Sequence, residues 1–111
     1  FYLQENGNML RLGPFQGSVA CYTIPYGKGA CGKAWEEGRT LIVPNVETFP
    51  GHIACSSRSR SEIVVPMYDS QRHFRGVLDI DSTRLDDFSA EDKDGLEHII
   101  QLLMAEIEDL F

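Results

Sequence analysis

No stretch of this 111-residue chain is apolar for anything near the ~20 residues that cross a bilayer as a helix. Basic residues are scarce as well. Ten Lys and Arg stand against seventeen Asp and Glu, a formal net charge of -7, and the basic residues cluster only at Arg58-Arg60. Nucleic acid and anionic membranes require clustered cations to displace counterions, so neither is an expected partner. Cysteine is limited to three, an odd number unsuited to a closed disulfide framework. Their separations of ten and twenty-four residues match no zinc spacing, and no metal is expected. Reactive thiols in a reducing cytoplasm fit this usage better. Internal repeats and low-complexity segments are also lacking.

A chain of this length can bury roughly two-thirds of its unfolded surface in one domain, without covalent staples. It opens on Phe1 rather than Met, and FYLQ already has the character of a strand. The expectation is therefore one domain over 1–111 that lacks an N-terminal piece. No leader pattern is visible.

Asn6-Gly7-Asn8 between FYLQE and MLRLGPF predicts a hairpin whose second arm ends at Gly13-Pro14. SVACYTIP reads as a further strand. In YGKGACGKAWEEGRT, the positions of Ala30, Cys31, Ala34 and Trp35 predict a short helix with Cys31 in its first turn, stopped by Gly38. TLIVP is a brief buried strand closed by Pro44. NVETFPGHIACSSRSR is long and irregular, as functional loops often are. EIVVPMYD and FRGVLDIDS then pair across the Ser70–His73 turn. Alternation puts Val77, Asp79 and Asp81 on one face, and Leu78 and Ile80 on the other. Ser89 with Glu91 and Asp92 starts a last helix, whose apolar face is Leu96, Ile99, Ile100, Leu103 and Ile107. Antiparallel strands with helices at their flanks make an α+β domain.

Cys55 is the residue whose surroundings suit a structural role least. It sits between Ile53-Ala54 and a polar loop carrying Arg58 and Arg60, either of which lowers a thiol pKa on close approach. Two readings of Cys31 stand open: a thiolate favoured by the helix N-terminus with Lys28 and Lys33, or a small hydrophobe. Cys21, flanked by apolar residues, reads as a core cysteine. His52 could act as a base for Cys55, although a loop histidine is more commonly solvated or structural. His73 and His98 read as surface residues, and Trp35 as core. Asp79 and Asp81 on one face raise each other's pKa. That pair is either a solvated edge or, with Glu62, part of a pocket able to bind an ammonium group and donate a proton.

The stretches LGPFQGSVACYTIPYGKGACGKAW, IVPNVETFPGHIACSS, SEIVVPMYDS and GVLDIDS resemble the free methionine-(R)-sulfoxide reductases, which use a GAF fold. The resemblance runs from Leu12 to Ser82, and FYL is similar to the end of the family's first strand. It implies a single GAF-like domain over 1–111, an antiparallel sheet with flanking helices, lacking an N-terminal helix and part of the first strand. It also implies reduction of the free R epimer of methionine sulfoxide. Cys55 matches the nucleophile that is left as a sulfenic acid, and Cys21 and Cys31 match the recycling cysteines. Glu62 and Asp81 match acids that assist catalysis, and Asp79 matches a residue that holds the substrate amine. Backbone N–H groups around Ile53, Ala54 and Cys55 are candidate hosts for its carboxylate. No cofactor is implied beyond external thioredoxin as reductant, and a homodimer is the expected assembly. Two rivals stand beside it: a non-catalytic GAF sensory module for a small ligand, which has little use for three thiols, and a thiol redox switch, which uses the same cysteines without requiring Glu62, Asp79 and Asp81 to converge.

Overall fold

The computed structural model describes residues 1–17, 21–53, 55–56 and 58–107. Its frame is one antiparallel sheet of six strands: β1 (Tyr2–Glu5), β2 (Met9–Leu12), β3 (Thr23–Pro25), β4 (Leu41–Val43), β5 (Ser61–Tyr68) and β6 (Phe74–Ser82). They lie side by side in the order β3-β2-β1-β6-β5-β4. Helix α1 (Gly29–Glu37) covers one face and α2 (Ala90–Ile107) the other. This is the expected α+β architecture. Among the described residues no helix is long and apolar enough to cross a membrane.

Local chemistry accounts for most element ends. Asn6 and Gly7 both take positive φ in the β1–β2 turn, and Gly38 closes α1 in the left-handed region, its N–H donated to Ala34 O. The third strand is shorter than SVACYTIP suggests, and Ser18 to Ala20 lie outside the described residues. The long irregular stretch contains a 3-10 turn, Val46–Thr48, where Asn45 Oδ1 accepts the Glu47 N–H. Helix α2 starts on a reciprocal cap: Asp92 Oδ2 accepts the Ser89 N–H, and Ser89 Oγ accepts the Asp92 N–H.

β5 and β6, the longest strands, carry the core on both faces. Ile63, Val65 and Met67 point to α2 and pack with Ile100 and Met104, whereas Val64 and Val77 point to α1 and pack with Ala30, Cys31 and Ala34. Pro66 is tolerated because β4 pairs only as far as Val64, leaving β5 one neighbour there. The apolar face of α2 differs from the expected one at two positions. Ile99 is 56% exposed, and Met104 is buried in the seam. One residue of helix turns a side chain by about 100°. With Ile100 centred on β5, residue 99 therefore points sideways.

β1 meets β6 at Leu3–Gly76, and a Cβ on Gly76 would lie 2.2 Å from Tyr2 O. That contact is with backbone, so β1 itself would have to move. Gly76→Ala is expected to cost about 2 kcal/mol or more of stability. Urea denaturation checks this through a lowered midpoint, and an unchanged midpoint would contradict the tight β1–β6 contact.

Candidate active site

Period-two alternation delivers Glu62 of β5, and Asp79 and Asp81 of β6, to the α1 side of the sheet. The register places Glu62 directly opposite Asp81, and Val64 opposite Asp79. All three acids line one cavity of about 730 Å³, so this is a pocket floor rather than a solvated edge. Glu62 is 7% exposed, and Asp81 is the most open of the three. Burial and then the Asp79 charge push Asp81 up to about 7. Burial also raises Glu62, with Asp81 adding to the effect, and it raises Asp79 well above the usual carboxylate range, with Glu62 adding. Asp79 Oδ1 has no accessible surface and no hydrogen-bond partner among the described residues.

Cys55 lies on the wall of the same cavity, in the loop before β5. The loop is held at its C-terminal end, where Arg60 donates its N–H to Ser82 O and accepts that of Val46. Buried Ser61 continues the clamp, donating Oγ–H to Arg84 O at 2.5 Å. Cys55 is joined by a disulfide to Cys21, their Cα atoms 5.0 Å apart. Cys21 packs against the α1-side core, as its apolar neighbours suggest, and is also held in this disulfide.

Cys31 is a free thiol, 3% exposed, in the first turn of α1. Of its two readings the buried one holds. Burial raises its pKa well above the usual thiol range, and Asp79, Glu62 and Asp81 raise it further. The helix N-terminus and nearby lysines are outweighed because the side chain points inward, onto the carboxylates.

Cationic and polar residues complete the wall: Lys28, which precedes α1, with Arg58 and half-buried His52. Ile53 also lines the cavity, whereas Ala54 lies outside the described residues. The Cys55 N–H is donated to Ile53 O and the His52 N–H to Phe49 O, so both are already engaged within the loop. Sequence reasoning overlooked Tyr2. It is 4% exposed, lines the cavity, and donates its hydroxyl to Cys21 O at 3.0 Å. Burial raises its pKa, with Cys31 and the three acids contributing. Only the β1–β6 pairing, opposite Val77, reveals that position. His73 and His98 are exposed, and Trp35 stacks on Phe74 and packs against the α1-side core, as expected.

The family model described as GAF domain matches residues 1–107. The chain is 54% identical over 103 residues to GAF domain-containing protein A of Dictyostelium discoideum, covering 93% of this chain and 65% of that protein. It is 48% identical over 105 residues to the free methionine-R-sulfoxide reductase of Saccharomyces cerevisiae, covering 93% of this chain and 58% of that one. An X-ray structure of free methionine-R-sulfoxide reductase from Neisseria meningitidis in complex with its substrate superposes with a TM-score of 0.92 at 46% identity, covering 96% of this chain and 64% of that one. The chain thus spans about three-fifths of the length of these relatives. With the sheet order, the cavity and the match over nearly its whole length in agreement, the chain belongs to the GAF domain family.

Proposed function

We propose that this protein reduces free L-methionine-(R)-sulfoxide to methionine. The observation that carries the reading is that Cys55, a cysteine able to form a disulfide with Cys21, lines the same cavity as Glu62, Asp79 and Asp81. Its similarity to proteins named for that activity supports it. The cavity has acids on its floor and Lys28 and Arg58 on its wall, a charge pattern complementary to the zwitterion of a free amino acid. A residue within a polypeptide has neither terminal charge.

The substrate ammonium sits at Asp79, whose orphaned oxygen needs a donor. A cation there favours ionised Asp79, so the proton of the acid cluster stays with Glu62 and Asp81. The Cys55 thiolate attacks the sulfoxide sulfur while one of these two acids protonates the oxygen. Methionine leaves, and Cys55 is left as a sulfenic acid. The Cys21 thiol then displaces water to form the Cys21–Cys55 disulfide, for which the backbone is already placed. Two electrons from a dithiol reductant of the thioredoxin class return both thiols. Cys31 is the remaining recycling candidate and remains free while this disulfide stands.

Single-turnover assay of the reduced protein with each sulfoxide epimer is the direct test. Methionine is expected from the R epimer alone, at about one per chain in Cys21→Ser and none in Cys55→Ser. A folded, reduced wild-type protein that forms no methionine would overturn the reading. For Asp79→Asn, loss of the ammonium partner is expected to raise KM about tenfold to a hundredfold, a larger effect than on kcat.

The acid cluster also sets a pH limb. A carboxyl raised to about 7 holds its proton below that pH and loses it above, so kcat/KM is expected to fall as pH rises through about 7. In Asp81→Asn that limb should move or disappear. A profile unchanged in shape would remove Asp81 from the proton-donating pair.

A further inference from the structure

The spacing of the cysteines along the chain matches no metal motif, yet folding brings one of them onto two acids from different elements. Cys31 Sγ and one carboxylate oxygen each from Glu62 and Asp79 all lie within 4.8 Å of one another. The three residues come from the first turn of α1, the start of β5 and the middle of β6. Two of them are buried, and the described ion pairs all lie elsewhere. Of the Asp79 carboxylate, Oδ1 is cut off from solvent and has no hydrogen-bond partner among the described residues, so it can still accept from a cation. The proposed chemistry leaves the Cys31 thiol unpaired once Cys21 and Cys55 are joined.

We propose that Cys31, Glu62 and Asp79 form a divalent-metal site of the zinc class within the cavity. The donor set is one thiolate and two carboxylates. The thiolate selects zinc-like ions over magnesium and calcium, which take oxygen ligands. Around a tetrahedral zinc, with bonds of about 2.3 Å to sulfur and 2.0–2.2 Å to oxygen, neighbouring ligands sit about 3.5 Å apart. From separations of no more than 4.8 Å the ligands need to close by at most roughly 1.3 Å, within the reach of side-chain rotation. All three residues line the cavity, which leaves the fourth position open to it. Binding replaces the protons of the cluster with the ion. An ion held there occupies Asp79, so metal and substrate ammonium exclude each other, and the site acts as a brake on turnover. The site stands on its own geometry; only the brake rests on the proposed reductase activity.

Cobalt titration of the chain in its Cys21–Cys55 disulfide form tests the site directly, because Cys31 is then the sole thiol. One Co²⁺ per chain with a thiolate-to-cobalt absorption band is expected, displaced by Zn²⁺ and abolished in Cys31→Ser. Glu62→Gln and Asp79→Asn should each weaken binding at least about tenfold. Circular dichroism and urea midpoints establish that the variants fold. Absence of the band in wild type, its survival in Cys31→Ser, or indifference to both carboxylate substitutions would overturn the site. This readout does not depend on turnover, so it distinguishes failure of the site from failure of the reductase reading. With methionine formation in hand, Zn²⁺ should raise KM reversibly, with chelator restoring it. Unchanged KM at a zinc concentration that fills the site would overturn the brake.

Discussion

Three carboxylates forced onto one face of a central antiparallel pair are the constraint on which this site depends. The pairing of β5 with β6 leaves no choice of side: with Glu62 opposite Asp81, the same register that buries Val64 and Val77 under α1 turns Asp79 inward as well. The apolar half of these strands anchors the polar half. A slip of one residue in β5 would turn Ile63 and Val65 toward α1 and Glu62 toward α2, spoiling both cores at once. Precision in placing the acids is thus a by-product of hydrophobic packing.

Charge concentrated in this way must be compensated. Buried carboxyls answer by holding protons, which is why every group in the cavity with a resolved change titrates upward: Tyr2, Cys31, Glu62, Asp79 and Asp81. A site that retains protons near neutrality is suited to donating one. The same need for compensation makes it receptive to a cation, either a ligand's ammonium group or an ion.

Much of this was legible from local rules, since alternation along VLDID assigned both aspartates to one face and turn and cap residues located most element ends. What escaped was non-local. No window of sequence shows that Cys31 points onto Asp79, because that contact joins a helix to a strand more than forty residues away. The two readings of Cys31 stay open in the sequence for the same reason: Lys28 and Lys33 are neighbours in sequence, but the acids are neighbours in space. The partnership of Cys21 with Cys55 and the role of Tyr2 likewise depend on chain segments meeting only after the sheet closes. Ile99 shows the opposite error, in which a helical period was read correctly but its centre was set one residue aside.

The disulfide spans 34 residues, enclosing β3, α1, β4 and the 3-10 turn. Closing a loop of that size removes conformational freedom from the unfolded chain worth on the order of 4 kcal/mol in the chain-entropy description. Oxidised and reduced forms therefore differ in their resistance to unfolding as well as in chemistry. By thermodynamic linkage, whatever loosens the fold also eases reduction of the bond. A reductant that pries at the Cys55 loop on docking would gain driving force from the strain it introduces.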